Sequence, residues 1–195
     1  MESLPETGFE YQPDNPVEKC FWGRVPFESA AAHLYFARGS LVQQLMHQLK
    51  YKGNREVGIQ LGRLMGNALR TSGRFDADAL VPLPLFASRE RKRGYNQSAL
   101  LCRGIAETYP LPVIETAVYR TMSTETQTKK GRIERWQNME GRFVVKDPSS
   151  IEGKSVLLVD DVITTGATLE ACGSELLKTE GVRLSIATLC FASKV

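Results

Sequence analysis

Apolar positions along this chain follow two rhythms, one of strands and one of helices. Val156 to Val159 is an unbroken apolar run, the pattern of a strand buried on both faces. It lies in SVLLVDDVITTGATL, Ser155 to Leu169. Asp160 and Asp161 stand where that strand is expected to end, and LEACGSELLKTEG beyond reads as a helix closed by Gly181. Asp78 to Leu83 predicts the first strand of an α/β core. Pro112 to Tyr119 and Gly141 to Val145 predict two more, and Val182 to Phe191 the last. Ala30 to Phe36 reads as a short strand. Helical spacing marks Leu41, Val42, Leu45, Met46 and Leu49 up to Gly53, and then Val57, Leu61, Leu64, Met65, Ala68 and Leu69. Lys50, Tyr51, Lys52 and Gly53 connect these two helices as a solvated helix end, the lesser alternative being that the lysines reach substrate. Residues 1–19, punctuated by Pro5, Pro13 and Pro16, read as an extended or disordered lead-in, anchored where Phe21, Trp22, Val25 and Phe27 follow. Residues 20–195 then form one domain, 20–75 its N-terminal helical part and 76–195 its core.

Composition narrows the class without naming a chemistry. At 195 residues the chain is long enough for one domain with a real core. A hydrophobic fraction of 42% and a charged fraction of 24% are those of an ordinary soluble globular protein. A net charge of +3 with a pI near 8.7 is too mild to argue for nucleic acid by itself. No apolar run approaches the roughly 18 residues that would span a bilayer, and no signal-peptide pattern opens the chain, so no membrane insertion and a cytoplasmic setting are expected. Cys20, Cys102, Cys172 and Cys190 are scattered without a CxxC pair, which favours buried or incidental thiols over a metal site or disulfides.

Chemistry concentrates in two stretches. After the strand come two adjacent acids and then Thr164, Thr165, Gly166, Ala167 and Thr168 at a helix start. Backbone N–H groups there, with Thr hydroxyls beside them and Gly166 permitting close approach, make a cradle for a phosphate. Asp160 and Asp161, as acceptors only, suit two vicinal hydroxyls of a ribose instead. The second stretch is PLPLFASRERKRGYNQSALLCRGIA, in which Arg89, Arg91, Lys92 and Arg93 crowd together before Gly94, Tyr95, Asn96, Gln97 and Ser98 open a helix. A basic loop ahead of a helix N-terminus is a second anion site, and bidentate Arg suits pyrophosphate. Residues 121–140 are polar and charged, too long for an idle connection, and read as a partly helical flap over the site.

VLLVDDVITTGATL resembles the phosphoribosyl pyrophosphate (PRPP) signature of the type I phosphoribosyltransferases. With VPLPLFASRERKRGYNQS, Arg120 and TQTKKGRIERWQNMEGRF, the chain is similar over residues 20 to 192 to their ComF, or competence-protein-F-like, family. The resemblance implies an α/β fold, a Rossmann-like parallel sheet flanked by helices, with a small N-terminal hood from residues 20–75 that recognises the acceptor. It implies an amidophosphoribosyltransferase-like enzyme that moves a 5-phosphoribosyl group to a nitrogenous acceptor and releases pyrophosphate. Asp160 and Asp161 would hold the ribose and Mg²⁺, residues 164–168 the 5-phosphate, and Arg89, Arg91, Lys92, Arg93, Gly94, Tyr95, Asn96 and Gln97 the pyrophosphate. Arg120, Arg132 and Arg135 join the acids as catalytic candidates. The purine-salvage branch carries an acid where Thr164 stands, and a hydroxyl has no useful basicity at neutral pH, which argues against hypoxanthine or guanine as acceptor. Many family members bear a four-cysteine zinc module upstream. Its cysteines are missing here, through loss or truncation, so no zinc is expected. The alternatives are a PRPP sensor without turnover, or a competence-related protein handling single-stranded DNA, for which only Tyr95 and Trp136 offer stacking among basic residues. A monomer or a homodimer is expected.

Overall fold

The computed structural model describes residues 4–121 and 143–192. Four parallel strands form the central sheet, β1 (Ala30–Tyr35), β2 (Ala79–Pro82), β5 (Ser155–Ile163) and β6 (Arg183–Phe191), in the order β1-β6-β5-β2. Val156 to Val159 are buried on both sides, as the apolar run predicts, because β5 lies between β6 and β2. Helices α2 (Leu41–Tyr51), α3 (Arg55–Ser72), α5 (Gln97–Thr108) and α6 (Ala167–Leu176) flank the sheet. Ser40 caps α2 by accepting from the Gln43 N–H, and Asn54 caps α3 by accepting from Val57. Helix α5 lies over β2 and β5, and α3 packs along α5 and also meets β6.

The packing of α3 on α5 is close. Gly62 of α3 faces Gly104 of α5, and a Cβ built on Gly104 would lie against the Ile59 carbonyl and 2.9 Å from the Gly62 Cα. Backbone meets backbone there, so neither position has room for a methyl group.

Several expectations need correction. Asp78 to Leu83 is not where the sheet begins, because β1 is an earlier strand of the same sheet, paired with β6 from Ala30↔Ile186 to Tyr35↔Phe191. The aspartates do not end their strand: β5 runs on to Ile163, whose partner is Phe191. Pro112 to Tyr119 is not a core strand. Val113 makes a single bridge to Leu80, next to a proline that has no N–H to offer a ladder. Its end, β3 (Val118–Arg120), pairs antiparallel with β4 (Phe143–Val145) in a separate two-stranded sheet. The helix after the signature stops at Leu176, and Gly181 serves a later turn at φ +70°.

Nor are residues 4–19 a loose lead-in. A 3-10 turn (Phe9–Tyr11) and the short helix α1 (Pro16–Lys19) dock on β1, with Phe9 and Val17 buried. Asn15 caps α1 and donates to the Ala30 carbonyl at 2.8 Å, Glu18 pairs with Arg74 at 2.6 Å, and Glu10 meets His33 at 2.7 Å. Local composition reads as disorder; burial and these long-range bonds repay the ordering.

Candidate functional site

The site lies at the carboxyl end of β5. Leu83, leaving β2, donates to the Val159 carbonyl at 2.8 Å, so the basic stretch departs beside Asp160. That stretch is not a loop. Ala87–Arg93 forms an exposed two-turn helix, α4, closed by Gly94 at φ +79°, with Arg91, Lys92 and Arg93 in the last turn, where cations suit the helix dipole. Helix α5 then returns its first turn to the acids. Ser98 Oγ donates to Asp160 Oδ1 at 3.1 Å, and Gln97 Nε2 donates to Asp161 Oδ2 at 3.3 Å. Asp160 Oδ1 also accepts the Asp161 N–H at 2.8 Å.

RGYNQ is therefore divided by function. Arg89, Arg91, Lys92 and Arg93 stay on the outer surface of α4. The side chains of Tyr95, Asn96 and Gln97 hydrogen-bond to the protein itself. Tyr95 is buried and donates to the Leu49 carbonyl at 2.5 Å, which also removes it as a stacking aromatic. Asn96 caps α5 and donates to the Leu83 carbonyl at 3.0 Å. Gln97 is buried against the acids, and its Oε1 has no hydrogen-bond partner among the described residues. Gly94 offers its carbonyl to Arg55 at 3.0 Å.

The residue that local pattern misplaces is Lys50. Its Nζ lies 3.0 Å from Asp161 Oδ2, so the last turn of α2 supplies the acids with a cation across more than a hundred residues of chain. Asp160 is nonetheless pushed up to about 7, first by burial and then by the neighbouring Asp161 charge, against the opposing pull of its hydrogen bonds and of Lys50.

Thr164, Thr165, Gly166, Ala167 and Thr168 join β5 to α6. Gly166 sits at φ +76° as the N-cap of α6, a backbone state that L residues with side chains seldom adopt. Among the described residues no side chain caps this helix end, whose N–H groups would suit an anion. The loop is braced from the N-terminal region: Arg24 donates to the Thr165 carbonyl at 2.8 Å and pairs with Glu170, and a Cβ on Gly166 would come 2.8 Å from the Phe21 ring. Phe21 was legible as an anchor; Arg24 carried no signal, since its partners are known only from the fold. Arg120 stacks on Phe86 at 3.9 Å and faces Phe143 at 5.3 Å, joining β3 and β4 to the start of α4. Arg132, Arg135, Trp136 and the rest of the expected flap lie outside the described residues.

The donor set fits a hard cation shared with a substrate. Asp160, Asp161 and the orphan Gln97 Oε1 are oxygen ligands, as Mg²⁺ requires. Among the described residues no group of three or more His, Cys, Asp or Glu side chains is placed to hold a metal, so substrate oxygens would have to complete the shell.

The cysteines are not part of this chemistry. Burial raises Cys172 well above its ordinary value and pushes Cys190 up to about 12, the latter with a further push from Asp161. Cys102 is buried likewise, and Cys20 alone is partly exposed. We expect a disulfide-exchange reagent to label Cys20 in the native protein and all four thiols only in denaturant; native labelling of Cys172 would show that α6 opens.

Comparison with known proteins places the chain in a family. The phosphoribosyl transferase domain family matches residues 51–194. The DNA utilization protein YhgH of Escherichia coli (strain K12) is 33% identical over 150 residues, 75% of this chain and 65% of that protein. Competence protein F of Haemophilus influenzae is 33% identical over 143 residues, 71% of this chain and 62% of that protein. The chain thus spans less than two thirds of the length of these relatives. Among solved structures, the glutamine PRPP amidotransferase of B. subtilis superposes with a TM-score of 0.48 at 19% identity, over 72% of this chain and 30% of that one. Among the described residues no helix is long and apolar enough to cross a membrane.

Proposed function

Because the chain belongs to the phosphoribosyl transferase family, and within its type I members to the ComF group, we propose that it binds PRPP and transfers the 5-phosphoribosyl group to a nitrogenous acceptor, releasing pyrophosphate. The observation that carries this reading is the junction at the end of β5, where two acids held by Ser98, Gln97 and Lys50 precede an uncapped helix start on Gly166.

Asp160 and Asp161 accept hydrogen bonds from the ribose hydroxyls and favour the positive charge that develops on the sugar ring as the C1–O bond to pyrophosphate breaks. Thr164, Thr165 and Thr168, with the N–H groups following Gly166 and Ala167, bind the 5-phosphate and fix the anomeric carbon in place. The cations of α4, Arg89, Arg91, Lys92 and Arg93, lie on the exit from β2 and attract the leaving pyrophosphate. Mg²⁺, held by Asp160 and Asp161 together with substrate oxygens, would neutralise pyrophosphate charge. Arg120 acts through position, steadying Phe86 at the start of α4. Arg132 and Arg135 are proposed as catalytic residues on the strength of the family pattern.

Calorimetric titration of PRPP with and without Mg²⁺ tests the reading. Wild type is expected to bind in a Mg²⁺-dependent manner, and Asp160→Ala/Asp161→Ala to lose at least about a hundredfold in affinity, or some 3 kcal/mol. A well-folded wild type that ignores PRPP would sink the reading.

A second reading draws on the relatives' names, DNA utilization protein and competence protein, and on one surface feature. Tyr51 is exposed and stacks with Arg93 at 5.5 Å, an aromatic among cations of the kind that suits single-stranded DNA. Anisotropy of a labelled oligonucleotide tests it: binding that survives in the double aspartate variant but falls in Tyr51→Ala would favour the DNA role.

A further inference from the structure

We propose that Lys50 is the built-in counter-cation of the acidic pair, holding on Asp161 the place that a divalent cation takes when metal-bound PRPP enters. The inference rests on the PRPP reading for its purpose, but its test uses metal alone.

Three observations converge on this lysine. Its ammonium sits 3.0 Å from Asp161 Oδ2, with only about a fifth of the lysine side chain exposed, 21% against 9% for the aspartate. Its backbone is anchored as well, since the preceding Leu49 carbonyl accepts from the buried Tyr95 hydroxyl at 2.5 Å. Tyr95 belongs to the segment that delivers Gln97 and Ser98 to the same acids, so one short stretch positions both the carboxylates' neutral partners and their cation. Finally, Gln97 donates to the same Asp161 oxygen and leaves its own Oε1 buried without a partner among the described residues. The pocket around the pair therefore has one more oxygen acceptor than its present donors use.

Two buried neighbouring carboxylates repel each other and need positive charge nearby. An ammonium supplies one charge through a point contact. A divalent cation supplies two and prefers several oxygens at once. The two cations cannot share Asp161 Oδ2 at bonding distance without strong repulsion, so their occupancy is mutually exclusive. Lys50 thereby offsets one charge of the pair and penalises metal that arrives without phosphate oxygens of its own. Metal carried by PRPP brings those extra contacts and displaces the ammonium, which ties α2 to the occupancy of the site.

Mn²⁺ titration followed by electron paramagnetic resonance, without PRPP, tests this directly. Lys50→Met is expected to bind Mn²⁺ about tenfold tighter than wild type, whereas Lys50→Arg, which keeps the charge, stays as weak as wild type. In thermal melts, millimolar Mg²⁺ should raise the midpoint of Lys50→Met several-fold more than that of wild type. Affinity of Lys50→Met no tighter than wild type, or of Lys50→Arg as tight as Lys50→Met, would overturn the proposal. Should Lys50→Met fail to fold, the lysine ¹⁵Nζ resonance of Lys50 in wild type decides: a shift on saturating Mg²⁺ supports displacement, and an unmoved signal overturns it. Wild type that fails to bind PRPP while these metal results hold would unseat the PRPP reading alone.

Discussion

Gly104→Val is expected to destabilise the fold more than any other single substitution considered. The added side chain must enter where α3 and α5 touch through their backbones, against the Ile59 carbonyl and the Gly62 Cα at 2.9 Å. Neither neighbour is the movable end of a side chain, so the helices must separate along their length. Overpacking ordinarily costs about 1–3 kcal/mol, and a rigid backbone obstacle raises that to about 4 kcal/mol or more. Against a total stability of roughly 5–15 kcal/mol, this removes a large share of the margin and lowers the melting midpoint by about 10 °C or more. Far-ultraviolet circular dichroism during a thermal melt reads the effect. Arg103→Val, one position earlier and exposed, loses only its surface pair with Glu115 and a little helix propensity, about 1 kcal/mol together. A Gly104→Val protein melting with the Arg103→Val control would show that the seam is softer than its geometry says.

Asp160→Asn is expected to stabilise the protein while removing PRPP binding. Burial and Asp161 lift the Asp160 carboxyl from 3.8 to about 7, so the folded chain holds that proton more tightly than the unfolded chain does. Its contribution to stability is therefore present below the unfolded value and is lost as pH rises through about 7. The amide keeps an Oδ1 acceptor for Ser98 and for the Asp161 N–H but carries no charge to desolvate. Above pH 7 the variant should gain about 2 kcal/mol, or a midpoint higher by about 6 °C, and below pH 4 the gain should vanish. Calorimetry should find PRPP affinity reduced by about a hundredfold, because the ribose loses its charged acceptor. A variant less stable than wild type at pH 8 would mean that Lys50 and the hydrogen bonds already outweigh burial at this carboxyl. A protein that becomes more stable on losing a site residue is one in which the site is held at the expense of the fold.

Several features were legible because their causes are local. The Val156–Val159 run needs no partner to announce a strand buried on both faces, and Thr164 to Thr168, with their hydroxyls and glycine, announce a tight strand-to-helix turn. The apolar spacing of Leu41 to Leu49 and of Val57 to Leu69 likewise predicts α2 and α3, whose caps are the Ser40 and Asn54 just ahead of them. RGYNQ is visible as a cluster, but sequence shows only that polar residues open a helix and not which way each one faces. Tyr95, Asn96 and Gln97 point inward because α5 packs on β2 and β5.

The sequence by itself thus determined the strand, the acids, the turn and the periodic helices, all of them products of neighbours within a few positions. Only the tertiary structure decided that β1 belongs to the sheet, that residues 4–19 are docked, that Gly62 and Gly104 meet, and that Lys50 reaches Asp161. Each of these depends on contacts between segments far apart in the chain. Such contacts form only when burial of the whole core repays the entropy of bringing the segments together, and no window of local pattern contains that balance.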